Sequence, residues 1–533
     1  MSTVQAATRW LERATDFANA ILVKETRQAL KSRQFVVVFM LLLTASWAAS
    51  MFGLVMKGDA IEYGSAGREF FLVFFMVLSA AVLLIVPFGA YRSLLAERDQ
   101  NTFELLSITT LTPRQIVWGK LLSALVQTFI FYSAITPFIA FASLLQGFDV
   151  ATAAYWLIAA MLVSLFFSTA ALMLGSFARQ RASQAATSIV VLGSLGLGFA
   201  GFIQFPMSMP IQFDAPEFWW GNVFIVLAGL SYIVLFQQIA ISQLTFESDN
   251  RSTRIRMTCA AQFWLLWLAY MGFHRFYKTP WHVQEIQLLT NVSVIHWALV
   301  GLLAATEGDH LSRRVRRQLP KNPLARLLVA PLMPGGARGY LYLLLHLVAL
   351  WLLSAGLMLD AARAAGGPTA GRPMTDLFGN LDTFTSTSWI PELRIATACC
   401  CYLLIYIGIG AMVGRWLRSV TPEIKPGHIR VLSIFIFGAG LIGPLIPRMI
   451  EPRAWRGYSL IQITNPFETF NAVYSGGFEF KRVMPLLLGG ALFVVLMNLR
   501  AMFHGVREIL QGAPQATAPQ HPERAASLTM STK

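Results

Sequence analysis

The side chains able to do chemistry are few, and their spacing suits little of it. Cys399, Cys400 and Cys401 are consecutive and Cys259 stands alone. Neighbours on a helix point about 100° apart, so the triplet cannot converge on one metal, and no CxxC pair exists. Small residues packed between helices account for these cysteines. His296 and His346 are the only ionisable side chains deep within apolar runs, whereas a proton-coupled carrier places several such groups near mid-membrane. They read as hydrogen-bonded packing residues. Glu451, Glu468 and Glu479, scattered among arginines between Arg448 and Arg482, read as a solvated loop rather than an acid/base pair. No HExxH, GxSxG or GxxxxGK[ST] occurs, and Gly119-Lys120 is followed by Leu121 without the required upstream glycine. No catalytic residue, metal site or cofactor site is therefore assigned.

Two segments carry more information. Between Ala96 and Leu125, Phe103, Leu105, Leu106 and Ile108 sit among Glu97, Arg98, Asp99 and Glu104. That is more apolar surface than a water-exposed linker shows, and it predicts a cover. Thr112, Pro113 and Gln115 supply a helix start: a hydroxyl cap, proline at the first helical position and glutamine three residues past the cap. Earlier, residues Phe17 to Arg33 fit a helix along the membrane surface, with Phe17, Ala18, Ile21, Leu22 and Ala29 on one side and Lys24, Arg27 and Lys31 on another. Glu25 falls in the apolar sector. A bare membrane anchor gives no reason for that, and a protein partner would.

The elements that must position these segments follow from composition. Of 533 residues, 13% are charged and 56% hydrophobic, and the mean hydropathy is +0.57, which leaves too few charges to coat several soluble domains. An ordinary soluble enzyme is excluded. The net charge of +15 has little water-facing surface to occupy, so no nucleic-acid partner is expected and the charge is read against a lipid bilayer. Helix is the form that satisfies backbone groups in lipid, and about 20 apolar residues cross it. Twelve stretches qualify: Phe35 to Met56, Phe70 to Ala90, Leu121 to Leu145, Ala153 to Phe177, Ala185 to Phe205, Val223 to Ile241, Met257 to Phe276, Ile286 to Ala305, Tyr340 to Leu359, Ile395 to Val413, Val431 to Pro447 and Val483 to Leu499. The seventh and eleventh are the weakest. With both termini inside, 30 of the 42 Lys and Arg fall in cytoplasmic segments, as the bias of cytoplasmic loops toward basic residues requires. The predicted fold is thus an all-α polytopic membrane protein. Its parts are an N-terminal cytoplasmic segment over 1–34 with the interfacial helix, a six-span domain over 35–245 with a cytoplasmic loop at 91–120, a second six-span region over 246–505, and a disordered tail over 506–533.

The loop and its surroundings resemble a family, the type-2 permease subunits of ATP-binding cassette (ABC) transporters. Glu97, Thr102, Glu104, Leu105, Leu106, Thr112, Arg114, Ile116, Val117, Gly119 and Lys120 match that family's pattern. Asn101 and Leu111 depart from it, standing where Gly and Pro are usual. ILVKETRQALKSRQF before the first span is similar to the family's interfacial entry helix, with Lys24, Glu25, Arg27 and Lys31 among its polar positions. The resemblance covers roughly Asn19 to Ile241. It implies a permease subunit, an exporter in the bacterial inner membrane, with no enzyme activity or cofactor of its own. A separate ATP-binding subunit, as a homodimer or pair, would engage Glu97, Thr102, Phe103, Glu104, Leu105, Leu106 and Arg114. The alternatives are a secondary transporter or an intramembrane enzyme. The transported substrate is not identified by sequence.

In the second half, the loop from Glu307 to Gly339 occupies the corresponding place. Leu327, Leu328, Leu332, Pro334 and Gly339 align with Leu105, Leu106, Leu111, Pro113 and Gly119, but Tyr340 replaces the lysine and the acidic signature is gone. A second, degenerate copy of the domain is the expectation. Because no phosphate-binding loop occurs, the purified chain should hydrolyse no ATP above a control variant, which a phosphate-release assay on the isolated protein checks.

Overall fold

Peptide groups in lipid have no water to pair with, so each long apolar run must close its hydrogen bonds on itself. The computed structural model obeys this: it is all-α, with no strand among the described residues. It describes residues 20–57, 66–99, 112–145, 147–178, 181–208, 211–246, 248–364, 391–450, 458–475 and 478–511. Eleven helices among these are long and apolar enough to cross a membrane, and the chain is a multi-pass membrane protein. It divides into two compact units that meet in sequence between Thr245 and Phe246.

In the first unit, α1 (Ala20–Leu30) is followed by α2 (Arg33–Lys57) and α3 (Ala66–Ala80). A π turn (Ala81–Ile85) joins α3 to α4 (Val86–Asp99), so the second span is one interrupted rod. Next come α5 (Pro113–Ser143), α6 (Val150–Phe177), α7 (Arg181–Ser208) and α8 (Pro216–Leu244). Aromatic rings lock α3 to α5: Phe74 lies 5.6 Å from Phe138, and Phe70 meets Phe141 edge-on at 5.6 Å. The α6 N-cap is Asp149, which accepts from the N–H groups of Ala151 and Thr152 and from the Thr152 hydroxyl. The Thr152 hydroxyl, with those N–H groups, holds the Asp149 carboxyl below its ordinary value. This cap is therefore at full strength above the usual carboxylate range and is lost as pH falls through the lowered value.

The second unit contains α9 (Thr253–Tyr277), α10 (Val283–Ala305), the short α11 (Arg313–Arg317) and α12 (Pro323–Val329), and α13 (Gly336–Ala364). After these come α14 (Pro391–Val420), α15 (Pro426–Ile442), α16 (Leu445–Ile450), α17 (Pro466–Ser475) and α18 (Phe478–Gln511). Gly339 lets α13 cross α10 closely, since a Cβ there would lie 2.1 Å from the Ala304 carbonyl oxygen.

Three expectations change. The seventh stretch, α9, is a helix of 25 residues, yet it falls outside the set of eleven because Gln262, Trp264, Trp267, Tyr270 and His274 dilute its apolar content. It nonetheless pairs antiparallel with α10 along its whole length. Arg256 reaches the Ala304 carbonyl at one end, Trp267 donates to Ser293 Oγ at 3.0 Å in the middle, and His274 meets Glu285 at 3.3 Å at the other. The tail expected from residue 506 starts later: α18 runs to Gln511, Ile509 is fully buried and Glu508 is ion-paired, while 512–533 lie outside the described residues. Finally, the region read as a solvated loop is packed over 458–475. Tyr402 donates to the Ile463 carbonyl at 2.6 Å, Asn465 to the Leu441 carbonyl at 2.9 Å, and Val473 is buried.

Because α9 matches α10 in depth, its two ends should lie on opposite sides of the membrane. Single cysteines at Asn250 and His282, added to a chain whose native thiols are all buried, should label from opposite faces with an impermeant maleimide. Labelling of both from one face would remove α9 from the spans.

Candidate functional site

Lys120 lies eight residues into α5 and is 2% exposed, with no route to water for its ammonium. A buried cation of this kind persists only if an anion and acceptors meet it. Glu25 of α1 does so, with Nζ to Oε1 at 2.9 Å, and the Ser93 carbonyl of α4 accepts from the same Nζ at 3.2 Å. One ammonium thus ties the surface helix to two spans. The anomaly of Glu25 is resolved: its partner is within the chain, 95 residues away. Ile21 and Glu25, four apart on α1, are both buried, whereas Val23, Lys24, Arg27 and Gln28 are exposed, as is Lys31 beyond the helix.

The start of α5 is fixed by its own residues. Thr112 Oγ1 accepts from the Gln115 N–H, and Gln115 Oε1 accepts from the Thr112 N–H at 2.8 Å, with Pro113 at the first helical position. Arg114 is exposed on that first turn. Of the other loop residues singled out from sequence, Glu97 lies on the last turn of α4, but its side chain is outside the described residues. Thr102, Phe103, Glu104, Leu105 and Leu106 lie outside them entirely.

Sequence reasoning missed what shapes the rest. The π turn frees a backbone carbonyl, and Ser164 of α6 donates to it at Val82, 2.7 Å away. One turn further, Tyr91 is buried and its hydroxyl bonds the Thr187 hydroxyl at 2.8 Å and the Gln184 carbonyl at 3.1 Å, joining α4 to α7. Between α1, α4, α5 and α7 these contacts leave a cavity of about 1170 Å³, with the Glu25–Lys120 pair in its wall. Neither a π turn nor a tyrosine bridge has a periodicity to read in advance. The odd placement of Glu25 was the available signal for the ion pair.

The second unit builds its corresponding loop on buried arginines. Arg256, 2% exposed, donates to the carbonyls of Pro331, Met333 and Gly335 and pairs with Glu307 at 2.7 Å. Arg338 pairs with Glu508 at 3.0 Å. The loop so held displays Leu324, Leu327 and Leu328 at the surface of α12. His296 bonds the Cys259 carbonyl and His346 the Tyr342 carbonyl, and all four cysteines are buried among helices. Among the described residues no group of three or more His, Cys, Asp or Glu stands ready for a metal.

Comparison with known proteins finds no matching family model, no matching curated protein and no matching solved structure.

The ion pair sets a stability test. Lys120→Met or Glu25→Gln alone leaves a buried group unpaired and should destabilise by about 3–5 kcal/mol. The Glu25→Leu/Lys120→Met double variant should recover most of this loss. Thermal unfolding in detergent reads all three; single variants that unfold with the parent protein would show that the pair holds nothing together.

Proposed function

We propose that this chain is the membrane permease subunit of an ABC-type transporter, an exporter driven by a separate ATP-hydrolysing subunit. The observation that best supports the reading is the Glu25–Lys120 ion pair. It joins the two segments on which the family resemblance rests, the entry helix and the Gly-Lys that ends the loop motif. Coupling by a soluble motor needs a stiff path from a surface loop into the spans. Here α5 begins at a capped, water-exposed turn, continues without a break across a span, and is tied to α1 and α4 within its first turns.

In this reading the partner covers Phe103, Leu105 and Leu106, with Glu97, Glu104 and Arg114 setting register, and the chain itself is not an enzyme. The protein resides in a bacterial inner membrane with both termini cytoplasmic. Basic loops then face the cytoplasm, as the Lys and Arg distribution favours.

Burying one leucine is worth about 1.5–3 kcal/mol, so Leu105→Asp should weaken recovery of the ATPase subunit at least tenfold at matched membrane expression. Glu97→Gln should lower coupled ATPase activity more than binding, because one rim charge adds little affinity. Leu328→Asp, on the acid-free second loop, should be better tolerated than Leu105→Asp. Affinity purification from the native host, followed by ATPase assay, measures each. Full recovery of the partner by Leu105→Asp, or no ATPase subunit recovered with the parent chain, would overturn the reading.

A further inference from the structure

The cavity of the first unit has a chemical character that the ion pair does not exhaust. At about 1170 Å³ it exceeds the roughly 300–1,000 Å³ of common small-molecule pockets. Its lining holds three cations, Lys24, Arg92 and Lys120, against one carboxylate, Glu25. Lys120 already takes up that carboxylate, which leaves a surplus of positive charge. Arg92 is exposed to the cavity and has no ion-pair partner among the described residues. The amides of Gln127 and Gln184 add hydrogen-bonding capacity nearby. Other parts of the wall are aromatic: Phe88 lines it, and the rings of Phe35 and Phe131 pack 5.3 Å apart. A cationic fork beside stacked phenyl rings, next to the surface helix of a membrane protein, matches a ligand with an oxyanion at one end and hydrocarbon at the other.

We propose that this cavity binds a phosphate-headed amphiphile, with its phosphate on Arg92 and its first methylenes against Phe35, Phe88 and Phe131. A guanidinium recognises a phosphate through two parallel N–H···O bonds, a geometry that the remaining lining groups lack. The proposal goes beyond the permease reading and does not need a motor subunit. The same chemistry has two sources, the phospholipids of the host bilayer or a transported cargo.

Gly89 makes the site testable. It lines the cavity, and a Cβ built on it meets nothing within 4 Å, so a large side chain there fills the space without striking a neighbour. Binding to the purified full chain in detergent is measured by native mass spectrometry with phosphatidylglycerol, and with diacylglycerol as the headgroup-free control. The parent protein should bind phosphatidylglycerol at least about tenfold more tightly than diacylglycerol, a difference of about 1.4 kcal/mol. Arg92→Gln should remove that preference, and Gly89→Phe should remove high-affinity binding altogether. Arg92→Gln alters an exposed side chain, so the test survives if Gly89→Phe fails to fold. Equal binding of the two probes by the parent, or a preference unchanged in both folded variants, would mean annular lipid only and would overturn the proposal. Extraction of co-purified molecules separates the sources. A common bilayer phospholipid lost in Arg92→Gln identifies a resident lipid, and a different phosphate amphiphile lost in the same variant identifies cargo. If nothing co-purified depends on Arg92 and added phosphatidylglycerol shows no preference, the site does not exist.

Discussion

Charge that has left water must find charge, and at the membrane boundary this rule organises both units of the chain. Lys120 in the first unit, and Arg256 and Arg338 in the second, are all but sealed from solvent. Each is met by a carboxylate from a distant part of the sequence, Glu25, Glu307 and Glu508 respectively. The attraction inside a poorly polarisable interior is strong, but so is the cost of desolvation, and the two nearly cancel. What remains is specificity: a helix shifted by one residue would leave two bare charges instead of one pair. Apolar spans slide past one another at little cost, and these pairs fix where they stop.

The two units apply the rule differently. In the first, one lysine gathers a surface helix and two spans around a cavity. In the second, arginine forks spread over several carbonyls and clamp a loop, with Arg256 alone reaching Pro331, Met333 and Gly335. Guanidinium suits the second task because its five donors lie in a fixed plane, while a compact ammonium suits the first. The loop between Ala305 and Gly336 is consequently a built object, with a buried floor of Leu311, Val315, Ala330 and Ile509 beneath its exposed leucines.

Much of the fold was legible in the sequence because lipid imposes a simple rule on composition. Apolar runs of span length became helices, and the Thr112, Pro113 and Gln115 signature became a cap, since both depend on neighbours within a few residues. α9 was the ambiguous run because its tryptophans, Gln262 and His274 are polar by transfer measures yet pack on Ser293 and Glu285. The candidate site was legible only as an oddity. Glu25 was visibly out of place, but its partner lies on another helix, and no local pattern links residues so far apart. The buried arginines were hidden more deeply, because a basic residue beside a span has a sufficient explanation in the charge bias of loops. Nothing local distinguishes Arg338, which is sealed, from Arg313, which is exposed.

The π turn at Ala81–Ile85 gives the second span an unequal tolerance of change. A π turn holds more residues than an α turn needs, so α3 and α4 are two stretches of helix set out of phase. Substitutions along the rod leave that phase alone, whereas deletion of one residue within the turn would let the helix heal into a continuous α form. Everything from Val86 onward would then rotate by about 100° and retract by about 1.5 Å. Tyr91 would leave Thr187, Ser93 would leave Lys120, and Arg92 would swing off the cavity wall. The span would still be long enough to cross the bilayer. Its length is redundant, and its angular setting rests on a single inserted residue.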